Sequence, residues 1–375
     1  MPGLLPHVDP DGLLEFSVVY TDRALNHMSK RFQGVMVDIS RVLKQVYAAR
    51  SAVLVPGSGT FGMEAVARQF AQDQDVLVVR NGWFSFRWSQ ILEQGRIARS
   101  VTVLQARPDG AEAVAAWTPC PIEEIEAEIA RVRPPVVFVP HVETSAGMLM
   151  PDDWLKRIAA AVHAVDGLLV LDCIASGALW VNMADTGVDV LISAPQKGWS
   201  GSPCCAMVML SERARAKTEA TTSSSYACDL KKWLSVMETY EAGGHVYHTT
   251  MPTDALVRLR EVMLETEGVG FERCREAQWA LGRAVREMLQ ARGFSSVAGA
   301  GFQAPCVVVS HTSDPEIQNG KKFAALGLQT AAGVPLQCGE AQGFRTFRIG
   351  LFGLEKLTSP ERSLNHLKRA LDALA

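Results

Sequence analysis

The sequence has no long apolar run, no internal repeat, and no block of lysines or arginines. The first absence excludes a spanning helix, which needs about 20 consecutive apolar residues. The third, with a formal charge of −3, excludes a surface that follows a phosphate backbone, so neither nucleic acid nor an acidic membrane is the expected partner. The start, "MPGLLPHVDPDGLLEF", lacks the basic segment and apolar core of a secretory leader. These absences read as a soluble, cytoplasmic protein. Cysteine is present at eight positions, but no two form a C-x-x-C pair. Reduced thiols filling a core are the expectation, with Cys338 held apart for its place in the sequence.

The chain does contain a regular alternation. Between about residues 50 and 210, short apolar runs ("AVLVP", "DVLVV", "VVFVP", "GLLVLD", "DVLISA", "CCAMVML") alternate with helical patterns such as "IEEIEAEIARVR" and "DWLKRIAAAVHAV". Runs without polar alternation suit a mostly parallel sheet covered on both faces, a doubly wound α/β domain. Beyond residue 250, long helices lead to the strands "CVVVSH" and "FRTFRIG" and a closing helix, the pattern of a smaller α+β domain. The expected division is an arm over 1–17, a large domain over 18–269 and a small domain over 270–375.

In open parallel sheets ligands bind outside the carboxyl ends of the strands. The first run delivers "PGSGTFGMEA" there, a glycine-containing turn opening a helix, which suits an anion; an ordinary turn capped by Thr60 is the plainer alternative. Later runs deliver the aromatic-rich "RNGWFSFRW", then "PHVETSAGM", then Asp172, then Lys197. Asp172 and Lys197 alone also suit an edge salt bridge. Together, an anion cradle, an aromatic, a carboxylate and a lysine match what pyridoxal 5′-phosphate requires. A lysine joined to the cofactor as an imine carries no free ammonium, which accounts for a cation at the mouth of an apolar strand.

Seven ordered blocks, "GSGTFGMEA", "RNGWFSFRW", "HVETSAG", "LDCIASG", "SAPQKGW", "YHTTMP" and "FRIGLFG", resemble the class V aminotransferases of the fold-type I pyridoxal-phosphate enzymes. The resemblance is to the branch of alanine–glyoxylate and serine–pyruvate aminotransferases, and it runs from about residue 20 to the C-terminus. It implies Lys197 as the Schiff-base lysine, Gln196 beside the ring hydroxyl, Asp172 on the pyridine nitrogen and Thr144 against the cofactor. Phe84 takes the stacking position, and Ser58, Gly59 and Thr60 line the phosphate. Tyr247 and Thr250 match residues that reach that phosphate from a partner subunit, implying a homodimer with shared sites. Arg348 matches the arginine that grips the substrate α-carboxylate. His245 and His248 have i, i+3 spacing but no third ligand, so no metal is expected.

The implied reaction is ping-pong transamination, from a small amino acid to a 2-oxo acid such as glyoxylate or pyruvate, by way of pyridoxamine phosphate. The chain departs from the family pattern at three places. The N-terminal segment lacks a "PGP" turn, "GWSGSPCC" puts Trp199 beside Lys197 and thus in the substrate pocket, and Cys338 precedes Arg348 on a loop. Cys338 as a sulfur acceptor in a lyase or desulfurase is one rival, although desulfurases typically carry histidines where this chain has Phe84 and Gln196. A non-catalytic protein of the same fold is another.

Overall fold

A computed structural model describes residues 8–9, 11–110 and 114–374; residues 1–7 and 10 of the expected arm lie outside the described residues. The large sheet has seven strands: β1 (Ser51–Pro56), β2 (Asp75–Arg80), β3 (Ser100–Gln105), β4 (Val136–Pro140), β5 (Leu168–Asp172), β6 (Val190–Ser193) and β7 (Cys205–Leu210). Their spatial order is β1-β7-β6-β5-β4-β2-β3. Residues in β4 to β7 are buried throughout, because strands covered on both faces have no solvent side to alternate towards.

Six strands point one way and β7 alone runs antiparallel to both neighbours, β1 and β6. The apolar run of β7 reads like any other buried strand. Its reversal follows from the short connection between Ser193 and Cys205, since a parallel return needs a crossover of about a dozen residues or more. Reversal of β7 leaves β1 pointing the same way as β6, so the turn after β1 opens on the same edge as Asp172 and Lys197. The sequence reading lacked β3, the edge strand, whose residues are only partly buried.

Helices α1 (Lys30–Tyr47), α2 (Gly59–Phe70), α3 (Trp83–Gln94), α4 (Ile122–Val132) and α5 (Asp152–Ala164) belong to this layer system. Phe32, Met36, Ile39 and Leu43 of α1 recur at helical spacing and are fully buried. Each such side chain contributes roughly 1.5–3 kcal/mol of burial. Ser29 caps the helix by accepting the Phe32 N–H at 3.1 Å.

Helix α6 (Thr253–Val269) stops at Gly270, whose φ of 99° no helix can continue, and α7 (Phe271–Gln290) starts at once. Then come β8 (Val307–His311), β9 (Ala331–Ala332), β10 (Thr346–Gly350) and the closing helix α8 (Pro360–Leu374). The three strands form an antiparallel sheet in the order β8-β10-β9, with α7 packed on β8 and on α8. In its register Arg348 sits opposite both Val309 and Ala331. Among the described residues, no helix is long and apolar enough to cross a membrane.

Candidate active site

The segments that follow five strands, β1, β2, β4, β5 and β6, with the starts of α2 and α3 among them, build a single small cavity of about 120 Å³, lined by Ser58, Gly59, Thr60, Phe84, Arg87, Thr144, Asp172, Gln196 and Lys197 among others. Ser58 precedes α2 in an extended conformation and makes no side-chain cap, which leaves the first N–H groups of the helix to face the cavity. A Cβ at Gly59 would lie 2.5 Å from Ile174 Cδ1, so a larger residue there would have to displace that side chain.

Asp172 ends β5 buried. Its Oδ1 accepts the Ile174 N–H at 2.9 Å, and among the described residues Oδ2 has no donor. Burial raises its pKa to about 6; the Ile174 N–H opposes this, buried Glu143 adds to it, and Arg87 and Lys197 lower it. A buried carboxyl with a free oxygen calls for a cationic N–H partner. Lys197 is half-buried in the turn after β6, and burial holds its ammonium below the usual lysine range. Asp172 pulls the pKa back up, while Arg348 and Arg87 push it further down. Its Nζ lies 5.2 Å from the centre of the Phe352 ring. An amine of lowered pKa, a carboxyl lacking a cation and an uncapped helix start are the donor set that pyridoxal phosphate needs.

Two residues the sequence reading passed over hold this site in shape. Glu143, fully buried, accepts the N–H groups of Phe84 (3.1 Å), Ser85 (2.9 Å) and Ser145 (3.0 Å), with the hydroxyls of Ser85 and Ser145 each at 2.7 Å. It is a carboxylate on the N-terminus of α3, the helix that carries Phe84. Arg87, one turn beyond Phe84, donates to Thr60 Oγ1 at 3.1 Å and stands 5.4 Å from the Phe84 ring centre. Arg348 stands at the same 5.4 Å from that ring. Both residues lay within the blocks "HVETSAG" and "RNGWFSFRW", where Arg87 follows Phe84 at helical spacing.

The Arg348 Nε donates to the Ala332 carbonyl at 2.8 Å, and among the described residues its two Nη groups have no protein acceptor, an orientation suited to a carboxylate. Its pKa is lowered by burial and partly restored by Glu143. Arg348, Phe84, Thr144 and Lys197 line a second, larger cavity of about 700 Å³ that adjoins the first.

Trp199 is not in the site. It is 1 % exposed and packs among Trp180, Tyr47 and Phe271 behind the Lys197 turn, so the expected substrate contact is corrected to a core contact. The turn reverses between Lys197 and Ser200, which has a φ of 58°, and this sends the indole inward. Tyr247 and Thr250 lie outside both cavities of their own chain, exposed, with their hydroxyls 2.9 Å apart. His248 Nε2 meets the Tyr226 carbonyl at 3.0 Å. Cys338 is buried, and burial beside Glu143 and Glu340 pushes its thiol up to about 12, the opposite of what a sulfur nucleophile needs. His141, also buried, pairs with Ser176 Oγ at 2.7 Å.

A mostly parallel α/β sheet with an amine, a carboxyl and a glycine-containing helix start at its strand ends matches the fold of the fold-type I pyridoxal-phosphate transferases. The description "Aminotransferase class-V" matches residues 14–314. The chain is 30 % identical over 360 residues to the 2-aminoethylphosphonate–pyruvate transaminase of Burkholderia ambifaria, covering 94 % of this chain and 89 % of that one. It is 29 % identical to the rat alanine–glyoxylate aminotransferase, covering 71 % and 63 %. A solved alanine–glyoxylate aminotransferase from Nostoc superposes with a TM-score of 0.76 at 23 % identity, covering 92 % and 88 %. The chain belongs to the class V aminotransferase family, whose members depend on pyridoxal phosphate.

Proposed function

We propose that the protein moves an amino group from a small amino acid to a 2-oxo acid such as glyoxylate or pyruvate, with pyridoxal 5′-phosphate held at Lys197. The observation that carries this reading is the convergence of Lys197, Asp172 and the start of α2 on one cavity. When bound, the cofactor supplies an aldehyde for the amine and an electron sink for the charge left at Cα.

The chain's own residues do the rest. Ser58, Gly59 and Thr60 bind the phosphate, and Arg87 fixes the Thr60 hydroxyl. Asp172 holds a proton on the ring nitrogen, Phe84 covers the ring, and Thr144 and Gln196 border it. Arg348 orients the substrate carboxylate with its free Nη groups. Lys197, with its pKa lowered, would move the proton from Cα to the neighbouring cofactor carbon C4′ on its own face, so acid and base are one residue. The same steps in reverse deliver the amino group to the oxo acid.

The site is shared between two copies, with Tyr247 and Thr250 of the partner subunit completing the phosphate site. Their exposure, and their place outside their own chain's cavity, support this reading. The direct experiment mixes yellow holoprotein with single amino acids and no acceptor. The donor bleaches the visible band, and an added oxo acid restores it. Release of sulfide or ammonia without an acceptor would instead mark a lyase.

A further inference from the structure

The larger cavity is out of scale with pyruvate and glyoxylate, the oxo acids named for this protein's relatives. At about 700 Å³ it falls in the range of sites that enclose drug-sized ligands, whereas pyruvate and glyoxylate have no side chain or a single methyl. It adjoins the cofactor cavity directly, because Phe84, Thr144 and Lys197 line both. Beyond Arg348 its walls are mostly apolar, with Leu281 and Val285 of α7, Leu367 of α8, and Leu328, Leu351 and Phe352 from the segments between, while Gln329 and Thr330 are polar and the Thr330 hydroxyl has no partner among the described residues. Charged groups also line it. Glu355 and Lys356 neutralise each other at 2.9 Å, and Arg362 and His366 are exposed to solvent.

We propose that this cavity receives the side chain of the amino donor, and that the enzyme takes donors with extended, unbranched apolar side chains in addition to small ones. The inference rests on the transaminase reading and names a substrate class for it. The α-carboxylate of such a donor lies on Arg348 and its amine at Lys197, which leaves the side chain only the space between α7, α8 and the small sheet. Apolar walls reward an apolar occupant, while a distal charge would meet only the solvent-exposed Arg362 and His366 and a Lys356 already paired with Glu355. Atoms and electrons balance as in any transamination, the long oxo acid leaving in place of the long amino acid.

Ala331 allows a test. It is exposed, lines the cavity and stands directly across the ladder from Arg348, so its Cβ lies on the same face as the arginine side chain. The holoenzyme is assayed with saturating glyoxylate or pyruvate and with alanine, 2-aminobutyrate, norvaline, norleucine and 2-aminooctanoate as donors, and with 2-aminoadipate as a donor bearing a distal carboxylate. The expected result is a kcat/KM that rises about threefold to fourfold per added methylene. Ala331→Phe should reduce the 2-aminooctanoate-to-alanine ratio at least about tenfold, a ratio from which any effect on carboxylate binding cancels. A flat or falling series, or 2-aminoadipate surpassing norleucine, overturns the inference while alanine turnover leaves the transaminase reading standing. Failure of every donor overturns both.

Discussion

Lys197 and Asp172 lie in opposing fields, and the consequences differ for the two. The lysine loses its charge more readily than an exposed one; Lys197→Ala should lower turnover by at least about 10²–10⁴-fold, the range that positioned acid–base groups supply, as steady-state kinetics would read. Arg348→Ala should raise KM by about 10- to 150-fold, the equivalent of about 1.5–3 kcal/mol for a charge-assisted contact. Asp172 and His141 predict a pH signature in the cofactor-free protein. Asp172, raised to about 6, binds more protons folded than unfolded, so its contribution to stability falls as pH rises from about 4 to about 6. His141, lowered to about 3 by burial, does the reverse, and its contribution is lost as pH falls from about 6.5 towards 3. The two slopes oppose each other across the shared window, so Asp172→Asn should steepen the loss of stability on acidification, as urea denaturation at several pH values would read; an unchanged slope contradicts the assignment. Lys197, Asp172 and Ser58 to Thr60 were legible in the sequence because each follows a buried apolar run, and a strand end is a position that sequence can define. Glu143 and Arg87 were not, since their roles depend on which helix end a strand-end loop meets in space. Trp199 was misplaced for a related reason: adjacency to Lys197 says nothing about which way a tight turn throws the next side chains.

At the scale of elements, α2 and α3 present the site, and each is held by a contact that tolerates little change. A Cβ on Gly62 of α2 would come within 2.4 Å of the Ala206 Cβ on β7. Gly62→Ala should therefore cost about 1–3 kcal/mol of stability and, by displacing the start of α2, weaken cofactor binding in a fluorescence titration. Glu143→Gln replaces an acceptor of several N–H and O–H groups with an amide that turns donors towards them. It should lower stability by about 1–3 kcal/mol, measured by denaturation, whereas a wild-type value would deny Glu143 its role at α3. The buried strands were readable because uninterrupted apolar runs have few other uses. Edge strand β3 was not, since its half-exposed residues look like loop, and the reversal of β7 came from connection length rather than composition.

Across the whole molecule, apolar side chains stand in solvent near the chain's start and elsewhere, among them Phe16 at 90 % exposure and Tyr226 at 75 %. Tyr226 stands next to the Tyr247–Thr250 segment, its ring 4.9 Å from that of His248 and its carbonyl 3.0 Å from His248 Nε2. A shared site predicts complementation. Lys197→Ala chains and Thr250→Ala chains, each impaired alone, should regain activity when mixed and allowed to exchange, because one site of each mixed dimer then holds only native residues. No recovery despite proven exchange would contradict sharing. The proposed partner contribution leaves no trace in periodicity or spacing, and enters only through the family resemblance of "YHTTMP".

The most direct measurement bears on the covalent link at Lys197. The protein is incubated with pyridoxal phosphate, treated with borohydride, digested and weighed peptide by peptide. The account predicts a single added mass on the peptide carrying Lys197 and none in Lys197→Ala; a protein left unlabelled, or labelled at another lysine, would contradict it.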